Sequence, residues 1–170
     1  AWELDKRYFY NPASLKLTVS RWRKASNSAL PSQCKSAGHY TMLIAGKYEA
    51  IEAGYDDAIF LDPDDNIAEC STANIFFVKQ NKLYTPRPTY ALNGLTRQTA
   101  IKLAQKHNII VEECDLKLCD IKDSEEAFIT GTAAEIQPIQ SINYQDMNIE
   151  YKTNTITNHI ISDYKNLVNN

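Results

Sequence analysis

The sequence predicts an α+β domain, and three observations carry that reading. Short alternating or continuous apolar runs, such as Leu15 to Ser20, Ala58 to Leu61 and Ala127 to Thr130, have the length and content of strands. Longer stretches beginning near Tyr40, Arg97 and Ile156 carry apolar residues at helical spacing. The two kinds of segment mix without strict strand–helix–strand alternation, so a doubly wound parallel sheet is the poorer match. With 170 residues, 44% of them apolar and 23% charged, the chain can bury one ordinary core, and residues 1–170 are read as a single domain.

Taken in order, Leu15 to Ser20 alternates around Leu17 and Val19 as a strand, and Ser26-Asn27-Ser28 and Pro31 make a polar connection to Lys35. From Tyr40 to Ala53, Leu43, Ile44, Tyr48 and Ile51 recur at helical spacing, with Gly54 placed to end the helix in a left-handed cap. Ala58 to Leu61 is a buried strand, and Pro63-Asp64-Asp65-Asn66 is a dense turn signal. Ile67 to Glu69 and Asn74 to Val78 read as strands separated by Cys70-Ser71-Thr72-Ala73, and Gln80-Asn81 turns the chain into Leu83 to Thr85 as a hairpin. Such meandering strands predict antiparallel pairing. Thr96 is the expected N-cap of a helix over Arg97 to His107, followed by a strand at Ile109 to Val111 and a helical turn near Cys119 to Ile121. Ala127 to Thr130, ending at Gly131, and Ile136 to Ile142 complete the strands, with a C-terminal helix from about Ile156 to Val168.

Composition excludes several classes of function. A net charge of -3 with dispersed Lys and Arg leaves no footprint for nucleic acid or an anionic membrane. Cys34, Cys70, Cys114 and Cys119 form no Cys-x-x-Cys pair and share no ligand spacing with His39, His107 and His159, which argues against a metal site and for free thiols in a reducing compartment. No apolar run has the length of a membrane span and no signal peptide opens the chain, so the expected location is the cytoplasm. Ala1-Trp2-Glu3-Leu4 begins without a methionine, as a chain cut from a longer one would, or one whose methionine had been removed ahead of alanine.

Four features have chemical potential, each with a bland alternative. Lys35, followed by the small residues Ser36, Ala37 and Gly38, stands at the mouth of a helix, where the backbone can aim it; most lysines are merely solvated. Gly94-Leu95-Thr96 offers free backbone N–H groups and the positive end of a helix dipole to a phosphate, or is an ordinary capped helix. Gly131-Thr132 offers further donors, or is a tight turn. Glu69 lies where an apolar strand gives way to small residues, and a carboxylate buried there needs a positive or protonated partner. Together, a phosphate seat, a carboxylate and a lysine could hold an aromatic aldehyde phosphate at its three ends.

The wording and order of four segments make a resemblance specific. Lys35-Ser36-Ala37-Gly38-His39-Tyr40, Ile67-Ala68-Glu69 with Ala73-Asn74-Ile75-Phe76, Leu92-Asn93-Gly94-Leu95-Thr96-Arg97, and Gly131-Thr132-Ala133-Ala134-Glu135 resemble the class IV, fold-type IV pyridoxal-phosphate aminotransferases. Among these the chain is most similar to the bacterial branched-chain amino acid aminotransferases. The resemblance implies the large C-terminal domain of that fold, an antiparallel-rich pseudo-barrel flanked by helices, with pyridoxal 5′-phosphate as cofactor. It implies that Lys35 bonds the cofactor's aldehyde carbon and moves the substrate proton, that Glu69 pairs with the pyridine nitrogen, that Tyr40 hydrogen-bonds the phenolic oxygen, and that Leu95, Thr96 and Thr132 hold the phosphate. Ala133 and Ala134 would leave backbone N–H groups open to a substrate carboxylate and room for an aliphatic side chain. Trp2 aligns with a tryptophan of the family's apolar substrate pocket, with a plain core tryptophan as the alternative.

The implied reaction is transamination between a branched-chain L-amino acid and 2-oxoglutarate. D-amino acid transamination and aminodeoxychorismate lysis on the same scaffold are the sister activities, and a non-catalytic module with relic motifs is the alternative of another class. The family forms homodimers or assemblies of dimers. His39 stands where the family usually has asparagine, Asn93 where proline is common, and Ala73 where many members have a second glutamate. The family also has a small N-terminal domain that serves the phosphate and the substrate carboxylate, with no counterpart ahead of Ala1. These 170 residues are therefore expected to be the cofactor-binding domain and to turn over weakly or not at all by themselves.

Overall fold

The computed structural model describes residues 14–169; Trp2 lies outside them. The strands are β1 (Leu15–Arg23), β2 (Asp57–Leu61), β3 (Ile67–Cys70), β4 (Asn74–Lys79), β5 (Lys82–Pro86), β6 (Val111–Cys114), β7 (Glu126–Gly131), β8 (Glu135–Tyr144) and β9 (Met147–Glu150). The helices are α1 (Tyr40–Glu52), α2 (Leu95–Lys106) and α3 (Thr155–Val168), with a single 3-10 turn at Ala37–His39 ahead of α1. The strand order is β3-β2-β1-β8-β7-β4-β5-β6, with β9 on β8.

The long strand β8 joins the two halves of this sheet. Its first residues pair antiparallel with β7, from Gly131↔Glu135 to Phe128↔Pro138, and its later residues pair parallel with β1 and antiparallel with β9. The expected antiparallel pairing holds for β2–β3, β4–β5, β4–β7, β7–β8 and β8–β9. The pairs β1–β2, β1–β8 and β5–β6 are parallel instead. In each parallel pair the chain returns through a long excursion, such as α1 between β1 and β2, which a parallel connection requires.

Strand alternation explains how one curled sheet serves two cores. On β4, Ile75 and Phe77 point to the concave side with Leu17, Ile59, Ile129, Ile139 and Ile142, whereas Phe76 and Val78 point outward. The outward residues meet Ala100, Leu103 and Ala104 of α2 and Ile156 and Ile160 of α3, with Phe76 and Phe128 stacked at 4.9 Å between ring centroids. A third, smaller cluster packs Leu43 and Ala50 of α1 on Ala58 and Phe60 of β2.

Several boundaries differ from the sequence reading, each for a local reason. The buried face of α1 is Leu43, Gly46 and Ala50, whereas Ile44, Tyr48 and Ile51 are about half exposed or more. Small residues occupy that face because β1 and β2 come close: a Cβ on Gly46 would lie 2.5 Å from Ser20 Oγ and 2.6 Å from the Phe60 ring. Gly54 does take the left-handed conformation, with φ of 88°, and Gly54 and Tyr55 N–H return to the carbonyls of Ile51 and Ala50. Gly94, not Thr96, is the N-cap of α2, which leaves Thr96 in the first helical turn.

Asn108, at φ 58°, ends α2 in the same manner and directs Ile109 N–H to Ala104, so β6 begins only at Val111. Around Cys119 to Ile121 the chain makes successive turns rather than a helix. The strand β9, absent from the sequence reading, is paired through a hairpin at Gln145, φ 51°. Gln80 and Asn81, at φ 51° and 59°, form the expected tight hairpin, where both residues of the turn must be left-handed. The start of α3 is capped from outside: buried Glu126 of β7 accepts from Ile156 N, Thr157 N and Thr157 Oγ1 at 2.7–3.0 Å.

Tyr151, just after β9, is buried against the concave core, and burial pushes its hydroxyl up to about 12. An unfolded tyrosine ionises near 10, so the folded state retains the proton over a range where the unfolded state loses it. The contribution is fully present below about pH 10 and is lost as pH rises towards 12. Denaturant titrations at pH 8 to 12 are expected to show wild type losing about 2–3 kcal/mol more than Tyr151→Phe over that interval; parallel losses in the two proteins would refute the assignment.

Candidate active site

One cavity of about 330 Å³ gathers Lys35, Tyr40, Glu69, Leu95, Thr96 and Thr132, which the sequence reading had singled out from four separate segments. Lys24, His39, Asn74, Asn93, Gly94, Arg97 and Thr130 share it. The size suits a small ligand.

The reactive end is formed by Lys35 and Tyr40, five residues apart across the 3-10 turn that opens α1. Lys35 Nζ donates to Tyr40 Oη at 2.9 Å. The segment that carries Lys35 has no strand partner, and side chains hold it instead. Asn27 Nδ2 and Ser32 Oγ donate to Thr89 O at 2.6 and 2.8 Å, and Gln33 Nε2 donates to Ala91 O at 2.8 Å. These bonds fasten the lysine's loop to the loop that leads into α2, and so set Lys35 opposite that helix's start.

The acidic end is Glu69, on a strand with every residue buried. Its Oε1 is 2.6 Å from Lys24 Nζ, and its Oε2 accepts from Leu92 N at 3.3 Å. Lys24 follows β1 directly, with its own N–H bonded to Leu61 O at 2.8 Å. Burial pushes the Glu69 carboxyl above its ordinary range, opposed chiefly by the charge and hydrogen bond of Lys24. With a cation at 2.6 Å, the ion-paired carboxylate is the arrangement that these contacts hold together.

The third end is the N-terminus of α2. Gly94 caps it with no side-chain hydrogen bond, so the first amides of the helix keep the free N–H groups and positive dipole end that bind anions. A Cβ on Gly94 would lie 2.5 Å from Asn74 Oδ1, and Asn74 Nδ2 donates to Leu92 O at 2.8 Å. Buried Arg97 steadies this turn from below, donating to Asn93 Oδ1, Pro86 O and Glu113 Oε2 at 2.6–3.0 Å. Thr132, just after β7, completes this end, and Thr130 Oγ1, buried two residues earlier, has no hydrogen-bond partner among the described residues.

Sequence reasoning missed Lys24, Asn74 and Thr130. Lys24 lies beyond the expected strand end at Ser20, and only the continuation of β1 to Arg23 brings it to Glu69. Asn74 and Thr130 face each other in the β4–β7 ladder, a register that no local pattern reveals. Ala133 and Ala134 lie on the turn just beyond Thr132, outside the cavity lining, with Ala133 exposed.

An amine beside a phenol, an ion-paired buried carboxylate and an uncapped helix start, spaced around one small cavity, fit an aromatic aldehyde phosphate. The comparisons agree. Residues 3–142 match the family described as amino-transferase class IV, and the chain belongs to that family. A probable branched-chain-amino-acid aminotransferase of Rickettsia bellii is 46% identical over 92% of this chain and 54% of its own length. The branched-chain-amino-acid aminotransferase of Pseudomonas aeruginosa is 37% identical over 75% of this chain and 42% of its own. Among solved structures, the branched-chain aminotransferase of Thermoproteus uzoniensis with norvaline superposes with a TM-score of 0.85 at 34% identity, over 91% of this chain and 51% of that one. The branched-chain amino acid aminotransferase of Escherichia coli likewise reaches 0.85 at 32%, over 91% and 52%. The chain thus spans about half the length of the relatives it matches. The fold is that of the family's large domain, a curled sheet with helices on its outer side. None of the described helices is long and apolar enough to cross a membrane.

Replacing Lys24 leaves Glu69 buried without its cation, which costs far more than replacing both partners. Lys24→Met is expected to lose about 3 kcal/mol at neutral pH by urea unfolding, with much of that recovered in Lys24→Met/Glu69→Gln. Without the cation the Glu69 carboxyl is raised further, and the folded state holds a proton that the unfolded state releases. The deficit of Lys24→Met therefore shrinks below the ordinary carboxylate range and grows as pH rises above it. A deficit independent of pH would contradict the pairing.

Proposed function

We propose that this chain forms the cofactor-binding part of a pyridoxal-5′-phosphate-dependent aminotransferase that exchanges amino groups between branched-chain L-amino acids and 2-oxoglutarate, giving the branched 2-oxo acid and glutamate. The observation that carries the reading is the convergence of Lys35 with Tyr40, Glu69 with Lys24, and the uncapped start of α2 on one cavity. The branched-chain substrate follows from the names of the relatives in both comparisons. By the same likeness the active assembly is a homo-oligomer, located in the cytoplasm.

When bound, pyridoxal phosphate supplies an electron sink for the charge left on the substrate Cα after its proton departs. The residues of the chain supply binding and proton handling. Lys35 would present its Nζ to the cofactor's aldehyde carbon and would carry a proton between the substrate Cα and that carbon. Tyr40 Oη, already hydrogen-bonded to that amine, orients it and serves the neighbouring phenolic oxygen. Glu69, held as an ion pair by Lys24, stabilises a proton on the ring nitrogen. Amides of Leu95 and Thr96 and the hydroxyls of Thr96 and Thr132 take the phosphate. Ala133 and Ala134, on the turn beside that seat, leave room for an aliphatic substrate side chain and expose backbone N–H groups to its carboxylate.

Titration of the full chain with pyridoxal phosphate is expected to give a visible absorption band that is lost in Lys35→Ala. Gly94→Ala, which forces a methyl against Asn74, should weaken binding by roughly tenfold while leaving the band's position unchanged. Identical spectra for wild type and Lys35→Ala would remove the basis of this reading.

Lys35 at the reactive end and Leu95 and Thr132 at the phosphate end are all exposed, so the cavity is open to water among the described residues. Proton transfer and charge stabilisation weaken in a wet site. Residues 1–170 alone are therefore expected to transaminate leucine with 2-oxoglutarate at no more than about one-hundredth of the rate of a full-length relative, a loss of about 2.7 kcal/mol in transition-state stabilisation; comparable rates would show that the open side matters little.

A further inference from the structure

Three residues, Leu92 to Gly94, join the acidic end of the cavity to the start of α2. Leu92 N–H donates to Glu69 Oε2 at 3.3 Å, Leu92 O accepts from Asn74 Nδ2 and Gly94 N–H at 2.8 and 2.9 Å, and Gly94 caps the helix. The bond from Gly94 N–H to Leu92 O closes a γ-turn centred on Asn93. Asn93 does not have a positive φ, so the turn is of the inverse kind, with a central φ of about −75°. One such bond contributes no more than it costs to fix one residue's backbone. Asn93 is therefore held by further contacts: its Oδ1 accepts from Arg97 Nη1 at 3.0 Å, and its carbonyl accepts from Gln98 Nε2 at 3.1 Å. Arg97 is itself fixed, with 2% of its surface exposed and bonds to Pro86 O of β5 and Glu113 Oε2 of β6.

We propose that Asn93 is a positioning residue for cofactor binding: held by Arg97, it keeps the turn from Leu92 to Gly94 in one form and so fixes the separation between Glu69 and the first amides of α2. This rests on the functional reading above, in which pyridoxal phosphate spans those groups with its ring nitrogen and its phosphate. A turn that sampled other forms would present the two contacts at varying separations, and ordering it on binding would cost affinity. The turn also settles which amides face the ligand. Gly94 N–H is used by the turn, and the first helical bond runs from Gln98 N–H to Gly94 O at 3.1 Å. The N–H groups of Leu95, Thr96 and Arg97 are left without partners among the described residues.

Proline separates the geometry of the turn from the contacts of the asparagine side chain. Its ring holds φ at about −65°, close to what the turn requires, and Asn93 N–H has no hydrogen-bond partner among the described residues for proline to remove. Asn93→Ala removes the bond to Arg97 and frees the turn, whereas Asn93→Pro removes the same bond and restrains the turn through the backbone. The full chain of each protein is titrated with pyridoxal phosphate, following the visible band, well below its cofactor-free thermal midpoint. Asn93→Ala is expected to bind about tenfold more weakly than wild type, and Asn93→Pro within about threefold of wild type, with the band at one position in all three. Equal binding by wild type and Asn93→Ala overturns the proposal, as does an Asn93→Pro protein that binds no better than Asn93→Ala. An Asn93→Ala protein that does not fold assigns the residue to stability and overturns it too. These results leave the functional reading standing; no binding by wild type sinks that reading and this inference with it.

Discussion

A carboxylate taken out of water must find a cation and hydrogen-bond donors, and at Glu69 that requirement organises the surroundings. The cation comes from Lys24, the residue after β1, and the donor is the backbone of Leu92, the residue that introduces the turn into α2. Three segments far apart in sequence are thereby tied to one side chain. The arrangement is costly compared with an apolar contact, since two charges lose their hydration. A site used only for stability has no reason to keep it. The proposed function supplies one, a fixed negative charge for a ligand's ring nitrogen.

The same economy of contacts shapes the rest of the cavity. Its walls are joined by side chains bonding to backbone carbonyls: Asn27, Ser32 and Gln33 to Thr89 and Ala91, Asn74 to Leu92, Arg97 to Pro86. Such bonds fix a loop's position without filling the space beside it. Glycine at 94 and 131 keeps that space open, for a Cβ at either would approach Asn74 Oδ1 or Thr72 O.

How much of this was legible depended on the range of the interaction involved. The α+β class, the hairpin at Gln80-Asn81 and the cap at Gly54 are set by neighbouring residues and could be read directly. The segments around Lys35, Glu69, Gly94 and Gly131 were weak signals by residue type alone, and the resemblance of their wording and order to the family drew them together; the structure brings them to one cavity. Apolar spacing misled at α1: Ile44, Tyr48 and Ile51 recur at the right period, but the close approach of Ser20 and Phe60 selects the small residues Gly46 and Ala50 for the buried face. Thr96 resembled a cap by residue type, whereas the turn ahead of it made Gly94 the cap. The external cap of α3 by Glu126 and the pairing of Lys24 with Glu69 span about thirty and forty-five residues, and no local pattern encodes them. The parallel pairing of β1 with β2 and β8 is hidden for the same reason.

Burial divides the cavity into two parts with different physical demands. Glu69, Thr96, Arg97, Thr130 and His39 are buried, on regular elements or directly at their ends, and their positions are over-determined by packing. Lys35 is exposed on an irregular segment, and Gly38 beside it has no atom within 4 Å of where a Cβ would lie. The role proposed for Lys35 calls for that freedom, while the groups proposed to hold the ring and phosphate call for fixed positions. On the proposed reading the ring contact Glu69 lies on β3, the phosphate contacts lie at the start of α2 and on the turn after β7, and the amine lies on the loop between β1 and α1.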